Sequence, residues 1–324
     1  MLLKSMAVLA IFLVLSSPCF STTYPERPIT VYVAFTPGGS MDLTTRALCS
    51  AAEKFLRTTF VIEYKPGGGG TVAPTIVSTA KPDGYLLCAA TSTGIIRAPH
   101  FQRVSFKPLG SFTPICAFAS PQNATVVKSD APWKTHAELV EYARRNPGKL
   151  KYSSAGVGTA MHHAMEFVKF KDKLDIVHVP YTGSKDALVA LLGGHVDICS
   201  SGPEHAPYVR SGEVRVLAYH QATRNPKNPD VPTLKELGYD FVNETVFSIL
   251  GPANLPEDVV KKLEDAFFKA KDNPEFKKVL DNLDMIPVFM GSKEYSEYLR
   301  NMWYKLEKSL KETGLIKESA TKPY

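Results

Sequence analysis

The 324 residues exceed a typical domain of ~100–200 residues, and 44% hydrophobic with 22% charged residues exclude a disordered or fibrous chain. The 38 basic and 32 acidic residues leave a net charge of +6, interspersed along the chain and not gathered into a stripe, which speaks against nucleic acid as a partner. Only the stretch from Lys305 to Lys317 is locally basic, and its alternation with Glu307, Glu312 and Glu318 reads as the solvated face of a helix.

In chain order, Lys4 precedes an apolar run from Met6 to Leu15 and then Ser16, Ser17 and Ser21, the pattern of a secretory signal peptide over residues 1–21. The run is too short for a membrane span of about 20 apolar residues, so the mature chain is expected outside the cytoplasm and unanchored. Pro18 and Ser16 make a poor lipoprotein cleavage box, which disfavours lipid attachment at Cys19.

Ile29, Val31, Val33 and Phe35 alternate with polar or small residues and predict a strand. Beyond Gly38-Gly39 the apolar residues Leu43, Ala47, Leu48, Ala51 and Phe55 recur at helical spacing, with Ser40 as the expected N-cap. A strand at 60–63, a short helix at 75–80 and a strand at 85–90 continue the alternation of a parallel sheet.

The same grammar restarts after Pro121: strand 124–128, helix 134–145, strand 150–153, helix 159–170, strand 175–179, helix 185–192, and strands at 196–199 and 214–218. A strand at 247–250 is followed by helical pattern over 256–312, broken by Pro274, Pro287 and Gly291. The expected architecture is α/β, two doubly wound lobes with a cleft between them. Residues 22–123 and 247–324 form one lobe, 124–246 the other, and crossings near 124 and 247 form a hinge of two crossing strands.

Three segments follow predicted strands and are rich in glycine and hydroxyls: Thr36-Pro37-Gly38-Gly39-Ser40-Met41-Asp42, Thr91-Ser92-Thr93-Gly94, and Ser153-Ser154-Ala155-Gly156-Val157-Gly158-Thr159. A tight strand-to-helix turn needs glycine with or without a ligand, but repetition across both lobes favours a ligand site, since helix N-termini at the carboxyl ends of strands attract anions. Phe35 closes the first strand beside this site. His162, in the first turn of its helix, reads either as an anion contact or as a packing histidine, and Asp42 with Arg46 as an i, i+4 ion pair.

Other motifs fail. Gly183-Ser184-Lys185 lacks the upstream glycine of a P-loop, and Gly68-Gly69-Gly70-Thr71-Val72-Ala73 fits the dinucleotide pattern but is flanked by Pro66 and Pro74. His162 and His163 are adjacent and cannot share a zinc, and no G-x-S-x-G elbow is present. Cys49, Cys88, Cys116 and Cys199 show no metal-ligand spacing and read as buried free thiols, although an exported chain allows a bridge. No metal is expected.

With those segments placed, the sequence resembles the Bug or TctC family, the periplasmic solute-binding components of tripartite tricarboxylate transporters. The likeness rests on Pro37-Gly38-Gly39 with Asp42 and Arg46, on Lys65-Pro66-Gly67-Gly68-Gly69 before Lys81-Pro82-Asp83-Gly84-Tyr85, and on Asn146-Pro147-Gly148-Lys149-Leu150. It continues through Gly156-Val157-Gly158-Thr159 with His162, His178-Val179-Pro180-Tyr181-Thr182-Gly183-Ser184, Asp230-Val231-Pro232-Thr233 and Gly251-Pro252-Ala253.

The resemblance implies a type II periplasmic-binding-protein fold that closes over a small organic acid and presents it to a membrane permease, without catalysis or cofactor and as a monomer. By the same resemblance Gly38, Gly39, Ser40 and Asp42 hold a carboxylate from one side, and Ser154, Ala155, Gly156, Gly158 and Thr159 from the other. Ser153, Thr91, Ser92, Tyr181, Gly183 and Ser201 complete the candidate wall, and Lys185 and Arg97 are the nearby cations. Thr36 stands where many relatives carry a second proline, and Ser200-Ser201-Gly202-Pro203 where relatives often carry larger polar residues, so the ligand itself stays open. A periplasmic sensor of an organic acid, or an exported enzyme using Asp42 or His162 as base, remains an alternative.

Overall fold

A computed structural model describes residues 24–312 and 314–324. The expected signal peptide and Cys19 lie outside the described residues. Strand β1 (Ile29–Val33) leads into helix α1 (Ser40–Leu56), then β2 (Phe60–Tyr64), α2 (Val72–Val77), β3 (Leu86–Thr91) and the short helices α3 (Ser92–Ile96) and α4 (Ala98–Phe101). After β4 (Phe112–Ser120) come β5 (Ala124–Lys128), α5 (His136–Arg145), β6 (Lys151–Ser154), α6 (Ala160–Asp172), β7 (Val177–Pro180), α7 (Ser184–Leu192), β8 (Ile198–Ser201), α8 (His205–Arg210) and β9 (Val214–Tyr219). The chain ends with β10 (Phe247–Pro252), α9 (Glu257–Ala270), α10 (Pro274–Asn282), β11 (Ile286–Gly291) and α11 (Ser292–Glu312).

These strands form two sheets, ordered β11-β4-β10-β3-β1-β2 (sheet 1) and β7-β6-β8-β5-β9 (sheet 2). β1 runs parallel to β2 and β3, and β6 parallel to β7 and β8. Antiparallel strands complete each sheet: β10 pairs with β3 and β4 and β11 with β4 in sheet 1, and β5 with β8 and β9 in sheet 2. The carboxyl ends of the parallel strands, and the helix N-termini after them, open toward the space between the sheets.

Local sequence accounts for this order. Ile29, Val31 and Val33 are fully buried and alternate with half-buried Thr30 and Tyr32, as the two faces of a covered strand require. α1 buries Met41, Leu48, Ala51, Ala52 and Leu56, while Leu43 and Phe55 of its apolar set stay about 40% exposed. The N-cap is Gly39 in extended conformation and not Ser40, which is the first helical residue. α11 buries Tyr295, Leu299, Met302, Trp303 and Leu306 along one face in the core of sheet 1, with Leu310 buried further on, and removing a side chain as deeply buried as Trp303 costs ~3–5 kcal/mol.

The sequence pattern did not reveal β4, a continuous apolar run buried among its neighbours, or β11, a strand inside the stretch expected to be helical. Pro287 and Gly291 break the helices there because the chain becomes a strand beside β4. β5 lies wholly in sheet 2 and β10 wholly in sheet 1, so the chain crosses through Pro121, Gln122 and Asn123 and returns over residues 220–246. The two crossings are tied together: Gln221 Nε2 donates to the Pro121 carbonyl at 2.8 Å, and the His220 N–H to the Asn123 carbonyl at 2.9 Å. No helix among the described residues is long and apolar enough to cross a membrane.

Candidate functional site

The turns after β1, β6, β7 and β8 meet around one cavity of about 30 Å³, a space on the scale of one or two water molecules. From the first sheet come Phe35, Thr36, Gly39, Ser40 and Met41, with Thr91 and Thr93 after β3 and Thr245 and Phe247 at β10. The second sheet contributes Ala155, Ala160 and Met161 at the start of α6, Gly183, Ser184 and Lys185 at the start of α7, and Gly202, Pro203 and Glu204 before α8. Pro121 and Asn123 form the floor at the crossing. Three helices of nine residues or more, α1, α6 and α7, therefore aim their N-termini at one point. First-turn N–H groups lack intrahelical partners and carry the positive end of the helix dipole, so the point attracts an anion.

In the first loop, Asp42 is 4% exposed and turned inward: its Oδ2 accepts the Gly38 N–H at 2.7 Å, and its Oδ1 accepts from Arg46 Nε at 2.6 Å and from the Tyr64 hydroxyl at 2.9 Å. These bonds shape the turn and leave Asp42 and Gly38 outside the cavity lining. The Ser40 N–H donates to Glu204 Oε1 at 2.7 Å, so a carboxylate of the second sheet's lobe already sits on the N-terminus of α1. Beside it Thr36 Oγ1 donates to Asp186 Oδ2 at 3.0 Å, a second bond between the lobes. Thr91 caps α3 by accepting the Gly94 N–H at 3.2 Å, and Ser92 exchanges bonds with Val246.

The loop after β6 is held by its own hydroxyls. Ser153 Oγ donates to the Ala187 carbonyl at 2.9 Å, and Ser154 Oγ lies 2.8 Å from His178 Nε2 and accepts the Gly156 N–H at 3.3 Å. Thr159 is the N-cap of α6: its Oγ1 donates to the Gly156 carbonyl at 2.7 Å and accepts the His162 N–H at 3.3 Å. His162 accepts the Gly158 N–H at Nδ1 and packs between the tilted ring of His178 and the edge-on ring of Phe101, and burial lowers its pKa. Tyr181 is half-buried beside this loop with its N–H on the Ser154 carbonyl, and Ser201 Oγ donates to the Gly202 carbonyl.

Of the seventeen residues expected from the sequence, the cavity is lined by Phe35, Gly39, Ser40, Thr91, Ala155 and Gly183. Gly38, Asp42, Ser92, Ser153, Ser154, Gly156, Gly158, Thr159, His162, Tyr181 and Ser201 lie outside that lining, in or beside the turns that carry it. Arg97 is 2% exposed and faces a different cavity, beside Glu244 and α11, where burial lowers its pKa to about 10. Lys185 does reach the cleft. Sequence reasoning missed Asn123 and Glu204; an acid directly after Gly202-Pro203 at a strand end was the available signal for Glu204.

Gly156 and Gly158 instead face the opposite lobe. A Cβ on Gly158 would lie 2.7 Å from Ala98 Cα, and one on Gly69 2.2 Å from the Val157 carbonyl oxygen. The Gly67–Gly70 turn, which imitates a dinucleotide motif, is thus one half of a contact between the lobes, and only glycine permits backbones this close. The four cysteines Cys49, Cys88, Cys116 and Cys199 are buried and unpaired.

The sequence model of the tripartite tricarboxylate transporter family receptors, TctC, matches residues 44–315. The chain belongs to this family. Among its relatives is a protein encoded in the gbd 5′ region of Cupriavidus necator, 36% identical over 294 residues that cover 91% of this chain and 90% of the relative. The periplasmic binding protein BugD superposes with a TM-score of 0.86 at 28% identity, covering 90% of this chain and 99% of BugD. MatC from Rhodopseudomonas palustris, solved with bound malate, superposes with a TM-score of 0.82 at 26% identity, covering 88% of this chain and 99% of MatC. The two sheets and their cleft are those of the type II periplasmic-binding-protein fold, and these TctC neighbours are binding proteins.

Proposed function

We propose that this TctC receptor captures a small carboxylate-bearing organic solute between its lobes and delivers it, as an exported periplasmic monomer, to the permease of a tripartite transporter. The observation that carries the reading is the convergence of α1, α6 and α7 N-termini on one cavity between the sheets. Such termini hold a carboxylate through backbone N–H groups without an arginine fork. With Glu204 on α1, the solute carboxylate goes to the starts of α6 and α7, where Ala160, Ser184 and Lys185 meet it. The malate bound to MatC supports the class of ligand. Because the cavity is so small, the solute enters with the lobes parted, and its contacts to both lobes stabilise the closed form.

Thermal-shift screening of residues 22–324 against mono-, di- and tricarboxylates tests this. Ligand at 100 times its Kd adds ~2.7 kcal/mol to the folded state and raises Tm by several degrees. If no acid raises the Tm, the reading is wrong.

A further inference from the structure

The acceptor seated on α1 belongs to the protein itself, and it is only half used. Glu204 Oε1 takes the Ser40 N–H, while Oε2 is buried without a hydrogen-bond partner among the described residues. Asn123, 1% exposed at the crossing between the sheets, has neither amide atom partnered there. Both residues line the cavity. A buried acceptor left unpaired is costly, so a solute that brings donors to Glu204 Oε2 and Asn123 Oδ1 is favoured over one that brings only acceptors, while Asn123 Nδ2, itself a donor, takes an acceptor of the solute.

Charge points the same way. The lining carries one acidic residue, Glu204, and one basic residue, Lys185, which is exposed and carries its Nζ beside Gly38 at the rim of the cavity. Asp186, the acid nearest the α7 start, is engaged by Thr36 and Thr182, and Asp42 is spent on Gly38, Arg46 and Tyr64. A plain diacid would set its second carboxylate beside Glu204, where like charges repel strongly in a closed, water-poor cleft. A solute with one anionic and one cationic end complements both side chains.

We propose that the cleft selects an amino acid or amino-substituted organic acid over a plain carboxylic acid, with Glu204 and Asn123 as the residues that read its N–H donors. The inference rests on the carboxylate reading above and names the solute's second group. The carboxylate lies at the starts of α6 and α7 near Lys185, and the ammonium group bonds Glu204 Oε2 and Asn123 Oδ1.

Calorimetry of the mature chain against matched pairs tests it: succinate and aspartate, glutarate and glutamate, propionate and alanine, 3-phenylpropionate and phenylalanine. At least one amino-bearing member binds tenfold or more tighter than its partner, and Glu204→Gln reduces that ratio at least tenfold while circular dichroism keeps the native fold. Amino-free acids that bind as tightly as their partners overturn this inference alone, as does an unchanged ratio in a folded Glu204→Gln or Glu204→Asp. The wild-type comparison stands whether or not either variant folds. If no member of any pair binds, the carboxylate reading falls and takes this one with it.

Discussion

Substituting Gly69 with alanine separates closing from folding. Gly69 has φ +65°, and the new Cβ would lie 2.2 Å from the Val157 carbonyl oxygen of the other lobe, where real Cβ contacts stay above 3.0 Å. The clash is with backbone, so no rotamer change relieves it, and only parting the lobes does. Overpacking of this kind costs ~1–3 kcal/mol. The left-handed backbone adds ~1–2 kcal/mol of strain, but equally in parted and closed forms, so it cancels from the closing equilibrium. Closing, and with it the affinity for any solute gripped by both lobes, should weaken by a factor of ~5–150. Gly194→Ala supplies the control, since φ there is +71° and nothing lies within 4 Å of the added carbon. Small-angle scattering should show a larger radius of gyration for Gly69→Ala alone, and calorimetry with the best acid of the screen a weakened Kd for that variant alone. If Gly69→Ala matched the Gly194→Ala control in both, the Gly67–Gly70 turn would have no part in closure.

Thr159→Ala should cost ~1 kcal/mol of unfolding stability in a urea titration, because Thr159 caps α6, while Thr159→Ser keeps most of it; an unchanged midpoint would return Thr159 to a ligand-only role. Burial holds the pKa of His100 and His136 at about 4 and of His220 at about 3, below the ordinary 6.5. Above pH 6.5 both folded and unfolded chains leave these rings neutral; below it the unfolded chain binds protons that the folded chain refuses. Stability should therefore be flat from pH 8 to 7 as far as these rings are concerned, and fall between about 6.5 and 4 by up to ~1.4 kcal/mol per pH unit for each ring. Urea midpoints at pH 7.5 and 5.0 measure it, and equal midpoints would refute it. Burial pushes the Cys199 thiol up to about 12 and raises the other three, so a thiol reagent should label none of the four in the native protein and all four in urea.

How much of this was legible beforehand depended on how local the signal is. β1 and α1 announce themselves through period-2 and helical spacing on either side of Gly38-Gly39, and the family motifs lie in such turns. β4 carries no alternation because β10 and β11 cover its edges and helices both of its faces, so its apolar run has no polar partner face. β11 is short, and its apolar run from Met285 to Met290 sits between two helices whose pattern otherwise continues across it. The cleft was found by its glycines, but most hydroxyls in those turns serve the turns themselves. Glu204 and Ser40 are 164 positions apart and meet only because the lobes do, a fact that no spacing along the chain reports.

The central place of β10 sets an order of assembly. As the chain is made, β1 to β4 come first, yet β3 and β4 do not pair with each other: the strand that joins them is made only after all of sheet 2. Until then each presents a bare edge of N–H and C=O groups, the feature that invites pairing with a foreign strand. Sheet 2, whose five strands are consecutive, has no such delay. A slow second phase in refolding, and dependence on a chaperone that shields strand edges, should accordingly belong to the lobe that is made first.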